Sequence, residues 1–388
     1  MSLPEDFRDG SQNQPGSQDP SCLSCSKRPR RHNSVFGVGE ADAGRTMEQV
    51  PAPVICPPMK TALSMSLLAL AISVGGATAR ELRPEEINAA SIATIGAEAP
   101  PSADPDPTIV RLQVLLDRAG SSPGVIDGLY GENLTKAVAG FEAMNSLPVD
   151  GRVDQEVVAR LEVHTPMVAS YVVSAEDAAG LVDRIPEDYG EKAKMESLGY
   201  TSVAEKLSER FHMDMDLLEA LNPVSQFVPG DTVLVVNPGP PRNGKVTRIE
   251  VNKKVGQVLA YAEDGSPLSV YPATVGTEDN PTPSGRHKVK GVARMPVYRY
   301  NPKLNFKQGK NEKILTIPKG PNGPVGSVWI DLTEPTYGIH GTPEPELIDK
   351  LGSHGCVRLT NWDVEELAGM VRPGVRVDFV NRSSVVPR

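Results

Sequence analysis

Cys356 and the histidines near it are the residues of this chain best suited to chemistry. His340 lies sixteen residues before Cys356. The run that contains the cysteine reads Ser353-His354-Gly355-Cys356-Val357-Arg358. A thiol attacks a carbonyl carbon as its thiolate, and a nearby imidazole can take the thiol proton and return it to a leaving group. The pair therefore predicts covalent catalysis, with Cys356 as nucleophile and His340 as general base and acid.

Glycines flank both reactive residues. Gly341 follows His340 and Gly355 precedes Cys356, and we interpret them as leaving room for a substrate backbone. The alternative for a lone thiol is a buried, inert cysteine. The polar, glycine-rich surroundings disfavour that alternative. The short separation predicts that one local β unit carries both residues, with His340 at the end of a strand.

The two motifs, His340-Gly341 and Ser353 to Arg358, resemble the active site of the L,D-transpeptidases, the YkuD-like cell-wall enzymes. The resemblance implies that Cys356 attacks the carbonyl of the third residue of a peptidoglycan tetrapeptide stem and that the terminal D-alanine leaves. An amine of another stem, or of a wall-attached protein, would then resolve the thioester. It also implies that the backbone carbonyl of Gly341 orients the His340 ring and that carbapenems acylate Cys356. Two alternatives stay open, an L,D-carboxypeptidase with water as acceptor and a wall-binding scaffold whose catalytic domain is idle.

Supporting roles in the site are expected for residues within the cysteine motif. Arg358 offers a planar cation for a stem carboxylate, or else a salt bridge that holds the cysteine loop. The backbone N–H groups of Gly355 and Cys356 are the predicted oxyanion donors. His354 and Ser353 either contact substrate or stabilise the loop.

Two aromatic residues and the remaining histidines complete the candidates. Tyr337 and Trp362 flank the motifs and are candidate substrate-binding residues, with packing as the alternative. His164, His212 and His287 have no neighbouring ligand pattern. We therefore expect neither a metal nor another cofactor.

The composition bounds the class of protein. A chain of 388 residues is long enough for two or three domains. Aromatic residues make up 5% and apolar residues 39%, with many prolines and glycines, which is typical of small modules joined by linkers. The net charge of −9 provides no basic footprint for nucleic acid.

Residues 59–79 predict a secretory signal peptide, with a membrane anchor as the alternative. Met59-Lys60 supplies the start and a charge, 62–74 are apolar, and Ala77-Thr78-Ala79 form a cleavage site. Export would place the protein in the periplasm or at the cell wall. Residues 1–58 are interpreted as a disordered tail or as an extension before a true start at Met59. Cleavage would leave Cys356 as the only cysteine, because it removes Cys22, Cys25 and Cys56.

Two modules are predicted between the signal and the catalytic region. Residues 80–106 are rich in alanine, proline and acids and are interpreted as a linker. Residues 107–162 show helical spacing three times and resemble the peptidoglycan-binding type 1 domain in 125–131 and 147–154. Residues 171–237 show a strand–helix–helix–strand order that resembles a LysM module, a binder of glycan strands, with an insertion over 178–199. A plain spacer is the alternative for each module.

The C-terminal region is predicted to be mostly β. Residues 238–243 are interpreted as a short, proline-containing linker that restricts the separation of the modules, and 245–381 show alternating strands. Thr360 can cap a helix with Asp363 three residues later. This region resembles the YkuD catalytic fold, a mostly β sandwich. The expected fold class is thus multidomain, with a three-helix peptidoglycan-binding module, an α+β LysM-like module and this catalytic sandwich.

Overall fold

A computed structural model describes residues 82–95, 104–303 and 306–385. The predicted signal peptide at 59–79 and the extension at 1–58, with its cysteines, lie outside these ranges. In the part of the chain that is described, no helix is both long enough and apolar enough to cross a membrane.

Helices dominate the first part of the chain and strands the second. The helices are α1 Pro84–Ala89, α2 Pro107–Arg118, α3 Glu132–Met144, α4 Gln155–Leu161, α5 Tyr189–Lys192, α6 Val203–Arg210, α7 Met215–Leu221 and α8 Asn361–Met370. The strands are β1 Val168–Val172, β2 Thr232–Val236, β3 Arg248–Asn252, β4 Gln257–Tyr261, β5 Pro267–Pro272, β6 Gly285–Arg294, β7 Tyr298–Tyr300, β8 Leu315–Ile317, β9 Val328–Leu332, β10 Gly338–His340, β11 Val357–Arg358 and β12 Arg376–Val380.

The three helices α2, α3 and α4 form the predicted helical module. Helix α2 begins after Asp106, whose carboxylate accepts hydrogen bonds from the N–H groups of Thr108 and Ile109. The core contains Leu112, Leu116 and Leu134, which are all at most 2% exposed. The three-helix prediction is confirmed.

The linker expected over 80–106 is wrong for part of its length. Helix α1 and the short 3-10 helix Ile92–Thr94 lie within it. Ile87 and Ile92 are fully buried against the helical module, and the Asn88 side chain accepts hydrogen bonds from the N–H groups of Met167 and Val168. The apolar residues are too few and too widely spaced among prolines and acids to show a helical period.

Strands β1 and β2 pair antiparallel and enclose α5, α6 and α7. This is the expected strand–helix–helix–strand order, with α5 as an additional short helix inside the insertion at 178–199. We keep the name LysM-like segment for residues 171–237. Its core includes Leu207, Leu218 and Val233, each fully buried.

The catalytic region contains one eight-stranded sheet in the order β11-β10-β9-β6-β12-β3-β4-β5. The sheet curls until its edges meet, because Thr274, just after β5, pairs antiparallel with Arg358 of β11. The facing halves enclose a core that includes Ile330, Val364 and Leu367. The mostly β fold is therefore confirmed, and so is the cap of α8, where Thr360 accepts a hydrogen bond from the Asp363 N–H.

The modules pack directly against one another on either side of 238–243, the short linker expected to restrict their separation. The Arg242 N–H in that stretch donates to the Glu366 carboxylate at 2.6 Å. Elsewhere, the Ser122 hydroxyl of the helical module bonds to Asp363 at 3.1 Å, and Lys136 forms an ion pair with Asp349. Sequence composition alone indicated a linker but not the surfaces on either side of it.

Candidate active site

Strand pairing brings the two predicted catalytic residues to neighbouring positions. Strand β10 ends at His340, and β11 begins directly after Cys356. The two strands are parallel, with His340 opposite Arg358. The Leu359 N–H also donates to the His340 carbonyl at 2.9 Å. One local β unit therefore carries the pair, as the spacing predicts.

Cys356 is buried, with 3% of its surface exposed. It belongs to a cluster with Trp329, Tyr298 and Leu198, the last of which comes from the insertion of the LysM-like segment. Its Sγ lies 3.9 Å from the Thr336 carbonyl oxygen. Nucleophilic chemistry at this position requires the free thiol, which attacks as its thiolate.

His340 is held in one tautomer. Its Nδ1 lies 2.7 Å from the Gly341 carbonyl oxygen, and a carbonyl oxygen only accepts hydrogen bonds. Nδ1 must therefore carry the proton, which leaves the lone pair on Nε2. The ring also stacks on Trp329, with ring centroids 5.3 Å apart and planes inclined by 14°.

The imidazole of His340 is neutral over the physiological pH range. Burial first, and then the positive charge of Arg358, lower the pKa of His340 to about 3, while the hydrogen bond to Gly341 opposes this. Only the neutral ring can accept a proton from a thiol. The site thus contains an oriented base that is available at every ordinary pH.

The structure explains Gly341 and Gly355 by local packing and backbone conformation, and not by the expected space for a substrate backbone. A Cβ at Gly341 would lie 2.1 Å from Oδ1 of Asn361, so the space there is filled by protein rather than open to substrate. Gly355 has φ of +112°, which L side chains rarely adopt, and a Cβ there would lie 2.9 Å from the Tyr337 ring. Close packing and backbone conformation therefore explain these glycines.

The cysteine loop is stabilised by Ser353. Its hydroxyl donates to the Cys356 carbonyl and accepts from the Gly355 N–H at 3.0 Å. The Gly355 N–H is thereby occupied, which corrects its assignment as an oxyanion donor. The Cys356 N–H stays the candidate donor, and the loop-stabilising alternative describes Ser353 better than a substrate contact does.

Arg358 is a partly buried cation beside the site. No carboxylate of the described residues lies within 4.0 Å of its guanidinium, so the salt-bridge alternative is not observed there. Burial lowers the pKa of Arg358, while the nearby Tyr189, Glu344 and Tyr298 raise it. The site therefore has a positive charge that a substrate anion could neutralise.

Aromatic rings cover one side of the site. His354 stacks on Phe306, with centroids 4.1 Å apart. Tyr189, from the insertion, meets Phe306 and Tyr298 edge to face at 5.9 Å and 6.1 Å. Tyr337 lies against Gly355 on the cysteine loop. His354 and Tyr337 are thus brought to the site, and Tyr189 joins them from a segment that the sequence did not connect with it.

Trp362 and the other histidines do not join this arrangement. Trp362 stacks on His212, with centroids 5.2 Å apart, so it packs between modules and its assignment to substrate binding is corrected. His212 pairs with Asp117, and His287 lies near Glu334. Within the described ranges no group of three or more His, Cys, Asp or Glu residues could hold a metal ion.

Sequence reasoning missed Trp329, Asn361 and Glu209. Trp329 lies in the region predicted to be strands, and nothing in the sequence indicates that its ring stacks on His340. Asn361 follows the predicted cap Thr360. The capping pattern of Thr360 and Asp363 assigns no role to the side chain between them. Glu209 lies 152 residues before its partner Asn361, and no local pattern can indicate so distant a contact.

Comparisons with known proteins match two parts of the chain to known families. The profile of the YkuD family, an L,D-transpeptidase catalytic domain, matches residues 246–379, and that of a peptidoglycan-binding domain family matches residues 105–161. The chain is similar to YqjB of Bacillus subtilis, a protein with an L,D-transpeptidase name, at 33% identity over 33% of this chain and 67% of that protein. It is similar to YkuD of Bacillus licheniformis, named likewise, at 34% identity over 32% of this chain, and it spans 60% of that relative's length.

A solved L,D-transpeptidase of Xylanimonas cellulosilytica is similar at 17% identity with a TM-score of 0.33, covering 74% of this chain and 98% of that one.

Proposed function

The chain belongs to the L,D-transpeptidase family, and from that premise we propose that it is a cell-wall L,D-transpeptidase whose Cys356 forms an acyl-enzyme with a peptidoglycan tetrapeptide stem. One observation carries the proposal. The His340 Nδ1–H donates to the Gly341 carbonyl at 2.7 Å, which leaves Nε2 to take the proton of the reduced thiol. This supports a base and a nucleophile on neighbouring strands.

The proposed reaction has two halves. In the first, the thiol proton moves to Nε2 of His340, and the thiolate attacks the carbonyl carbon of the third stem residue. The bond from that carbon to the nitrogen of the terminal D-alanine breaks, and the imidazolium protonates the leaving amine. In the second, an amine of another stem or of a wall-attached protein attacks the thioester, and its proton returns to the sulfur through His340. The cycle exchanges one amide bond for another.

We assign Arg358 to a carboxylate of the donor stem. Its guanidinium is partly buried beside the catalytic pair, and a bound carboxylate would supply the missing counter-charge. The charge of Arg358 contributes to the low pKa of His340, so a carboxylate at Arg358 would raise that pKa. His340 would then be a stronger base with the stem bound than without it.

The oxyanion of the tetrahedral intermediate is assigned to the Cys356 N–H, which lies next to the attacking sulfur. Tyr337 and His354 remain candidates for contact with the stem, because His354 is part of the cysteine loop and the Tyr337 ring lies against Gly355 of that loop. Burial of Cys356 in an apolar cluster favours an amine acceptor over water, because it limits the access of water to the thioester.

The upstream modules are proposed to keep the enzyme on its polymer. The helical module matches a peptidoglycan-binding family, and we propose that the LysM-like segment contacts glycan strands beside it. Both roles fit an exported protein that acts in the periplasm or at the cell wall. Binding to the same polymer as the stems raises their effective concentration at Cys356.

Mass spectrometry of products tests the proposal. The reduced full-length chain is incubated with purified tetrapeptide, and we expect cross-linked dimers together with free D-alanine. Trimmed tripeptide alone would show that water is the acceptor, and unchanged tetrapeptide would contradict the proposal. A carbapenem should add one covalent adduct at Cys356 in the same preparation, because its strained lactam offers a carbonyl to the same thiolate.

A further inference from the structure

Asn361, the first residue of α8, joins two parts of the molecule through its side chain. It is 2% exposed, and its Oδ1 accepts a hydrogen bond from the Ser327 N–H at 2.9 Å. A backbone N–H only donates, so this contact fixes which end of the amide is oxygen. The Nδ2 end must therefore point the other way.

The oxygen end of this amide lies against the backbone that orients the catalytic base. A Cβ added at Gly341 would lie 2.1 Å from Oδ1 of Asn361, so glycine and amide are in close contact. The carbonyl of the same Gly341 accepts the His340 Nδ1–H. Any shift of the Asn361 side chain thus changes the packing of the peptide unit that holds His340.

The nitrogen end of the amide donates to the LysM-like segment and, at 3.3 Å, to the Pro321 carbonyl. Both carboxylate oxygens of Glu209, on α6, accept from Nδ2 of Asn361 at 3.0 Å, and the Tyr200 hydroxyl donates to Glu209 at 3.2 Å. Glu209 is 9% exposed, and burial raises its pKa to about 8 against the hydrogen bonds from Asn361 and Tyr200. A glutamate that is mostly protonated near neutral pH still presents one carbonyl oxygen, as a glutamine does.

We propose that Glu209 is a positioning residue for the catalytic base, acting through Asn361 on the Gly341 peptide unit and so on His340. The LysM-like segment is then a structural part of the catalytic unit as well as a candidate polymer binder. This inference rests on the proposed function, in which His340 takes the proton of Cys356. It predicts that loss of the Glu209 carboxyl changes proton transfer, and not stability alone.

Substitutions of Glu209 in the reduced full-length chain test the inference, with Glu205 as the matched control. Glu205 is on the same helix and bonds across the same boundary, but to Asn322 at 2.6 Å. Rates of Cys356 alkylation by iodoacetamide are measured across pH by peptide mapping, which separates Cys356 from the other cysteines. Product formation from tetrapeptide and melting temperatures are measured alongside.

We expect Glu209→Ala to lower kcat on tetrapeptide about tenfold or more and to shift the pH profile of Cys356 alkylation. Glu209→Gln should restore most of both, because it keeps an acceptor for Asn361. Glu205→Ala should leave both within about twofold. In an Asn361→Ala background, Glu209→Ala should have little further effect, since the two residues act in one chain of contacts.

The inference is overturned if Glu209→Ala and Glu205→Ala give the same alkylation profile and the same kcat, whatever their melting temperatures. Additive effects of Glu209→Ala and Asn361→Ala would overturn it as well. Failure of the wild-type chain to process tetrapeptide would count against the proposed function only. The alkylation profile needs just the thiolate and His340, so it tests Glu209 in that case too.

Discussion

His340 and His212 stack on tryptophans in nearly the same way, but their pKa values are shifted in opposite directions. His340 lies on Trp329 with ring planes inclined by 14°, and His212 lies on Trp362 at 9°. The first pair is beside Cys356. The second is at the boundary where the LysM-like segment meets the helical module and α8.

The partner of each ring nitrogen decides the difference. Nδ1 of His212 lies 2.9 Å from the Asp117 carboxylate, and although burial opposes the charged form, that carboxylate raises the pKa of His212. For His340, burial first and then the cation Arg358 lower the pKa, and the hydrogen bond to the Gly341 carbonyl only partly opposes this. A nearby carboxylate favours the protonated imidazole at the module boundary, whereas a nearby cation favours the neutral imidazole beside Cys356.

Of the changes considered, removal of the nucleophile should have the largest effect on turnover. Cys356→Ala should abolish acyl-enzyme formation, a loss of at least about a thousandfold in turnover, because the described residues contain no second cysteine that could form the thioester. Intact-mass analysis after incubation with a carbapenem checks this, with far-UV circular dichroism as the control for folding. Substantial turnover by the variant would show that Cys356 is not the nucleophile.

Replacing each histidine in turn sharpens the contrast. His340→Ala should lower turnover by about 10²- to 10⁴-fold, the usual contribution of a general base. His212→Ala should change turnover by only a few fold, with a lower melting temperature, because its contacts join modules. Tetrapeptide turnover and thermal melting of both variants provide the test. Equal losses of turnover would mean that His212 also acts on the site.

Removal of the modules upstream of Lys245 tests whether they contribute to the site around Cys356. A chain that begins at Lys245 lacks Glu209 and Leu198, which contact Asn361 and the cluster around Cys356. We expect at least about tenfold slower acylation by a carbapenem than in a chain that begins at Leu82, together with greater binding of an apolar dye. Equal acylation rates would show that the catalytic sheet assembles its site alone.

The pH dependence of stability should have opposite sign at the two histidines. The raised pKa of His212 stabilises the folded state fully below its ordinary value of 6.5, and this contribution is lost as pH rises through the folded pKa. For His340, with a folded pKa of about 3 against 6.5 unfolded, the unfolded chain takes up the proton first. Its contribution therefore weakens as pH falls below 6.5.

Urea unfolding of His212→Gln and His340→Gln at about pH 5.5 and about pH 8 measures these contributions. The loss on His212→Gln should be larger at the lower pH. The loss on His340→Gln should be larger at the higher pH, by about 1 kcal/mol. If the losses of unfolding free energy in the two variants changed with pH in the same direction, the opposite pKa shifts assigned to the two histidines would be contradicted.

The sequence predicted the site best where the signal is local. His340 at a strand end, the Thr360–Asp363 cap and the three helices of 107–162 follow from patterns within a few residues. Strands β7 and β8 have three residues each, too few for an alternating pattern to appear. Helix α1 has six residues, and its apolar residues are likewise too few to show a helical period.

The remaining misses concern contacts between distant parts of the chain. The helical spacing of α6 identifies its buried face, but no residue near Glu209 indicates that the face meets α8. Gly341 and Gly355 stand out in the sequence, yet whether the space beside a glycine is open or filled depends on residues from other elements. Such contacts are set by tertiary packing, which a single sequence does not display.

The meeting of the two sheet edges limits how a stem can be recognised. The Thr274 N–H donates to the Arg358 carbonyl at 3.0 Å, and the Arg358 N–H donates to the Thr274 carbonyl at 2.9 Å. The outer edge of β11 is therefore already paired, so a ligand cannot add to it as another strand. Strand addition to an exposed sheet edge is one common way in which proteins bind extended peptides. A stem with alternating L and D centres would fit such a strand poorly in any case. Under the proposed function, the side chains around Cys356, rather than main-chain pairing at this edge, would distinguish one stem peptide from another.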